Sequence, residues 1–171
     1  MRRVFGITGW KNSGKTTLTE KLVTELVARG WTVSTVKHAH HDFDIDKPDT
    51  DSFRHRQAGA TEVAIVSGRR WALMHELRGG NEPTLDDILA RLSPSDIVLV
   101  EGYKREAHKK IEARRLQAKD QTSLSASDPN IVAVAADFAV EGERLPVFDL
   151  NDTKSIADFI ERSTGLTAQT K

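Results

Sequence analysis

The sequence predicts an α/β fold, a mostly parallel sheet flanked by helices with an antiparallel hairpin extension. Three features predict it. Val4 to Thr8 is a short apolar run ended by Gly9, and it reads as a buried first strand. A helical pattern follows from Lys15, and a second strand returns at Thr32 to Lys37; strand, helix, strand in this order makes a parallel βαβ unit. The run Ile97-Val98-Leu99-Val100 is apolar at successive positions, as in a strand covered on both faces.

The elements follow in chain order. In the first helix Leu18, Leu22 and Leu26 recur with Val23 and Val27 at helical spacing, and Gly30 falls where the residue after a helix C-cap is expected. After Lys37 the chain turns polar, with His38-Ala39-His40-His41-Asp42-Phe43-Asp44-Ile45-Asp46 running to Pro48, and keeps neither period. It reads as a loop. Asp51 to Ala58 reads as a short helix closed by Gly59. Glu62 to Ser67 and Trp71 to His75 flank Gly68-Arg69-Arg70 as a hairpin. Thr84 can cap a helix through Leu92, which Ser93-Pro94 ends. Lys109 to Arg115 reads as an edge strand, and the polar stretch Leu116 to Asn130 as a mobile loop. Ile131 to Ala135 and Leu145 to Phe148 are further strands. Asp152 or Thr153 caps a last helix presenting Ile156, Phe159 and Ile160.

The 171 residues fit one domain, read here as 1–165 with a disordered tail at 166–171. Lys plus Arg and Asp plus Glu number 25 each, so no net field draws the chain to nucleic acid or to an anionic membrane. Without cysteine there is no disulfide and no thiolate metal site. The apolar run after Met1-Arg2-Arg3 is too brief for a signal-peptide core, and no stretch approaches the roughly 20 apolar residues of a membrane span. The expectation is a cytoplasmic protein.

Gly9-Trp10-Lys11-Asn12-Ser13-Gly14-Lys15-Thr16 matches G-x-x-x-x-G-K-[ST] in full, between a strand and an amphipathic helix. Glycines let the backbone fold around an anion with its N–H groups inward, and the helix that follows adds positive potential. This is a P-loop, and it narrows the fold class to the P-loop NTPase type. Residues 9–16 and Thr17 are the expected nucleotide-binding set. Lys15 reaches the β and γ phosphates and is the expected catalytic cation, while the Thr16 hydroxyl ligates Mg²⁺. Such a site takes a second acid from the end of a neighbouring buried strand. Glu101 is that candidate, both for the metal and for catalysis. Asp44 and Asp46, in the loop after the second strand, also qualify, with Asp46 preferred.

The cluster Lys37, His38, His40 and His41 has three readings: a transition-metal site, a lining for an anionic ligand, or a solvated loop. Its spacing matches no standard zinc motif. Arg54, His55 and Arg56 pose the same choice, and helical geometry keeps all three from meeting one ligand. Trp10 covers a nucleotide or a partner, or simply packs, and the Lys11 side chain can point outward.

Taken together, these residues resemble the MobB family of molybdopterin-guanine dinucleotide biosynthesis adaptors over nearly the whole chain. The marks are Ser13-Gly14-Lys15-Thr16-Thr17-Leu18, the segment Lys37 to Pro48, Asp51-Ser52 through Ala58-Gly59-Ala60, Arg70-Trp71-Ala72-Leu73-Met74, Val100-Glu101-Gly102-Tyr103-Lys104, and Ile131 to Ala135 leading to Asp137. The resemblance implies a homodimeric GTP-binding protein with weak GTPase activity. It implies GTP and Mg²⁺ as ligands, a molybdenum cofactor guanylyltransferase as partner, and molybdopterin as a possible ligand. Where the family has Pro-Gly-Lys-Asp-Ser, this chain has Pro48-Asp49-Thr50-Asp51-Ser52. The guanine-reading N-K-x-D motif is absent, so GTP rests on the resemblance. Asp137 is the carboxylate expected to accept from guanine N1 and N2, with Asn151 and Asp152 as alternatives. A small-metabolite kinase, with Arg114 and Arg115 as its lid, and a metallochaperone GTPase using the histidines are the competing functions.

Overall fold

The computed structural model describes residues 2–39 and 43–167. Its elements are β1 (Val4–Thr8), α1 (Lys15–Ala28), β2 (Val33–Lys37), α2 (Asp51–Gln57), β3 (Glu62–Val66), β4 (Trp71–His75), α3 (Leu85–Arg91), β5 (Ile97–Glu101), β6 (Lys110–Arg114), β7 (Ile131–Ala136), β8 (Val147–Asp149) and α4 (Thr153–Thr164). They group into two compact units, Met1–His38 with Ile88–Lys171, and Ala39–Asp87.

The larger unit holds a six-stranded sheet in the order β2-β5-β1-β6-β7-β8, with every neighbouring pair parallel. β5 inserts between the two strands that α1 connects. Its uninterrupted apolar run suits that place, because all five of its residues are buried. On one face of the sheet Phe5, Ile7, Leu99 and Ile111 pack with Leu18, Leu22 and Leu26 of α1 and with Ile156 and Ile160 of α4. Val27 falls outside that stripe and is exposed. Gly30 follows the α1 C-cap at φ 90°, a value that suits glycine. Asp152 caps α4 by accepting from the Ser155 N–H at 3.1 Å. Leu166, assigned from sequence to the tail, is buried in the same core.

β6 is an interior strand and not the expected edge, since β1 and β7 flank it. Charge is costly to bury without partners, and here most of the partners come from the polar stretch that follows. Lys110, fully buried, donates to Asp128 at 2.6 Å and to the Lys104 carbonyl at 3.1 Å. Glu112, also buried, accepts from Arg114 at 2.7 Å and from the Leu124 and Ser125 N–H groups at 3.0 Å each. Arg114 also donates to Glu143, Ser123 and Ser125. The segment read as a mobile loop is thus polar because it satisfies a buried polar strand.

The smaller unit carries α2 and the predicted hairpin, whose strands pair as a two-stranded antiparallel sheet of their own. Arg56 sits at its centre. Its guanidinium donates to Asp44, to both oxygens of Asp46 and to Glu76 at 2.6–3.2 Å. Val63 and Met74 are buried, while Val66, Trp71 and Leu73, on the other face of the hairpin, are exposed. Among the described residues no helix is long and apolar enough to cross a membrane.

Candidate nucleotide site

The loop between β1 and α1 folds as the motif requires. Gly9 has φ 144°, Gly14 has φ 91°, and Asn12 takes a left-handed conformation at φ 64°. A Cβ on Gly9 would lie 2.4 Å from Ser13 Oγ and 2.5 Å from the Ala113 carbonyl, so only glycine lets the loop close against β6. Gly14 is the N-cap of α1 and has no capping side chain, which leaves first-turn N–H groups for an anion. The Ser13 hydroxyl is buried inside the loop without a partner among the described residues. This cradle fits phosphate.

Register supplies the opposite wall. Lys37 of β2, Glu101 of β5 and Ile7 of β1 stand side by side, so Lys37 and Glu101 reach the sheet end together. Thr16 Oγ1 donates to Glu101 Oε1 at 2.8 Å, and Lys37 Nζ lies 3.4 Å from each of these atoms. Lys15 Nζ donates to the Trp10 carbonyl at 2.7 Å. Burial pushes the Lys15 pKa down; the Glu101 carboxylate opposes that, while Lys104 and Lys37 add to it. Lys15 is therefore surrounded by two further ammonium groups and one carboxylate, a balance that favours an anionic ligand. A P-loop magnesium site takes only one or two protein ligands, the phosphates and water supplying the others, and Thr16 with Glu101 fits that set.

The remaining predicted residues spread out. The Trp10 indole donates to the Thr122 carbonyl at 2.7 Å and lies 3.8 Å under Lys104 Nζ, so it packs on the loop after β6. Lys11, Asn12 and Thr17 are exposed. Asp137, at the end of β7, accepts from the Leu116 N–H at 2.8 Å through Oδ1. Asn151 accepts from Lys21, and Asp152 is engaged as a cap. Asp46 belongs to the smaller unit, where the hydrogen bonds from Arg56 hold its pKa down and occupy both its oxygens. The His38 ring lies against that of Tyr103, tilted by 42° with centroids 4.8 Å apart, whereas His40 and His41 lie outside the described residues. Lys104 was missed as a site residue from sequence, although it stands three residues after Glu101 behind Gly102, a turn signal that brings the chain back over the loop.

Comparison with known proteins agrees with this architecture. A family model described as molybdopterin guanine dinucleotide synthesis protein B matches residues 4–137. Two relatives named molybdopterin-guanine dinucleotide biosynthesis adapter protein are similar along most of their length. That of Escherichia coli (strain K12) is 38% identical over 92% of this chain and 90% of its own. That of Haemophilus influenzae is 41% identical over 92% of this chain and 87% of its own. The crystal structure of a MobB protein homolog from Bacillus stearothermophilus, 34% identical, matches 96% of this chain and 99% of that chain with a TM-score of 0.71. With the full P-loop, the Thr16–Glu101 wall and these matches, the chain belongs to the MobB family of molybdopterin guanine dinucleotide synthesis proteins.

Proposed function

We propose that this protein is the GTP-binding adapter of molybdopterin guanine dinucleotide synthesis, a weak GTPase that assists the guanylyltransferase joining GMP to molybdopterin. The adapter role follows from the family. The observation that carries the nucleotide part is the contact of Thr16 with Glu101 beside Lys15, because it joins the P-loop to the acid of a buried strand. Bound Mg²⁺ would neutralise charge on the β and γ phosphates. The chain's part is to hold those phosphates on the N–H groups before α1, to bring Lys15 off the Trp10 carbonyl onto them, and to hold the ion with Thr16 and Glu101.

The reading takes the protein as cytoplasmic and homodimeric, with no nucleic acid or membrane partner. The dimer is proposed through the hairpin, whose Val66, Trp71 and Leu73 expose an apolar face beside unpaired strand edges. Molybdopterin, or the transferase itself, is proposed to meet the loop Lys37 to Pro48.

The test is reconstitution with a guanylyltransferase, GTP and molybdopterin. The protein alone yields no dinucleotide, and added to the transferase it raises the yield. Product formed without transferase would overturn the adapter reading.

A further inference from the structure

Arg115 is the first residue after β6, next to the P-loop on the side opposite Glu101. Its Nε would lie 2.6 Å, and its Cζ 3.1 Å, from a Cβ placed on Gly14, so the guanidinium occupies the space that this glycine leaves open. Among the described residues the Arg115 side chain makes no hydrogen bond or ion pair, although it is partly buried. Of the other cations near the loop, Lys15, Lys37 and Lys104 are engaged. Lys15 bonds a carbonyl, Lys37 lies near Glu101, and Lys104 covers Trp10.

The backbone that carries Arg115 is held from both sides. The Gln121 amide donates to the carbonyls of Arg115, Leu116 and Ala118 at 2.8–3.0 Å, and Asp137 accepts from the Leu116 N–H at 2.8 Å. A partly buried guanidinium with no carboxylate, on a fixed turn beside a phosphate cradle, is arranged for an anion that arrives with the ligand.

Sheet order says which anion. Thr16, Lys15 and Glu101 mark the metal-bearing end of the site, and Glu101 ends β5, on one side of β1. Arg115 follows β6, on the other side. A polyphosphate that crosses the end of β1 with its terminal phosphates toward Glu101 brings its nucleoside end toward β6.

We infer that Arg115 is a nucleotide-binding residue that grips the α-phosphate. This rests on the nucleotide reading above. Asp137 and Gln121 are then positioning residues for it, acting through the turn from Arg115 to Ala118.

The experiment is titration of the full chain with GDP and GTP at low salt, comparing the parent protein with Arg115→Gln, Arg115→Lys and Lys15→Ala. Phosphorus NMR of bound GDP is the second readout. Arg115→Gln weakens both nucleotides about tenfold or more, the loss of one charge-assisted contact. Arg115→Lys, which keeps the charge, stays within about threefold of the parent. The α-phosphorus resonance moves in both variants while the β resonance holds. Unchanged affinity in Arg115→Gln alongside weakened Lys15→Ala overturns the inference and leaves the nucleotide site standing. Equal weakening by Lys and Gln, with the α resonance unmoved, overturns the phosphate assignment in favour of stacking or packing. No binding to the parent protein overturns the nucleotide reading itself.

Discussion

The Thr16 hydroxyl donates a 2.8 Å hydrogen bond to Oε1 of Glu101, joining the first turn of α1 to the end of β5 across 85 residues of sequence. The carboxylate also stands 3.4 Å from Lys37 Nζ, so one acid balances the cations on this side of the cradle. Its proposed role as metal holder and its role as counter-charge can be separated by mutation.

Glu101→Gln is expected to lower Mg²⁺-dependent GTP hydrolysis on the order of tenfold or more, equivalent to about 1.5 kcal/mol or more of lost stabilisation. Affinity measured without Mg²⁺ should hold or rise slightly, because Lys15 and Lys37 lose a competing anion. Parallel loss in both assays would mean that the residue only shapes the sheet end.

The ion pair Lys110–Asp128 stands at the start of β6, with Lys110 fully buried. Asp128→Ala strands an ammonium there and is expected to cost about 3 kcal/mol, or roughly 6 to 12 °C in Tm for a chain of this size. Adding Lys110→Met should recover most of the loss, since an apolar side chain of similar length needs no counter-ion. A melt of the single variant that matches the parent protein would rule out this role.

His108 packs the Nε2–Cδ2 edge of its ring against Gly6, with both ring nitrogens buried and without a partner among the described residues. Burial, with help from Lys110 and against Asp128, pushes its pKa from 6.5 down to about 4. The unfolded chain takes up this proton first, so stability is full above pH 6.5 and declines as the pH falls toward 4. Denaturant titrations across that window should show the decline in the parent protein and a flatter profile in His108→Leu. Identical slopes would assign the effect to other groups.

Arg56 gathers Asp44, Asp46 and Glu76. Arg56→Ala removes the centre of the smaller unit, so amides of α2 and the hairpin should exchange faster while those of β1 and β5 keep their protection. Acid should act in the same direction: the Asp46 pKa is held down by Arg56, so its contribution is present above its ordinary 3.8 and is lost as the pH falls further. Uniform loss of protection over the whole chain would show that the two units melt together.

Much of the site was legible because its parts are local. The P-loop is one contiguous segment whose glycines have meaning only in a tight phosphate-binding turn, and the acid ending an apolar strand singled out Glu101 before any contact was known. Asp46 was a harder case, since an extended loop does not reveal which of its alternating residues faces inward; it faces Arg56. Arg115 read from sequence as half of a possible kinase lid with Arg114, because nothing in the chain order shows that β6 lies beside β1.

The same contrast holds for the fold. Periodicity and glycine placement determined the α/β class, the βαβ start, the hairpin and the phosphate loop, because each depends on neighbours within a few residues. Only the tertiary structure decided that β6 is an interior strand and that β5 separates β1 from β2. Charge at Lys110, Glu112 and Arg114 argues for an edge until Asp128, Glu143 and the N–H groups of Leu124 and Ser125 are brought against them, and those partners come from 12 to 29 residues further along the chain. Burial of a charge depends on what surrounds it in space, and that is written in the pairing of distant segments and not in any one of them.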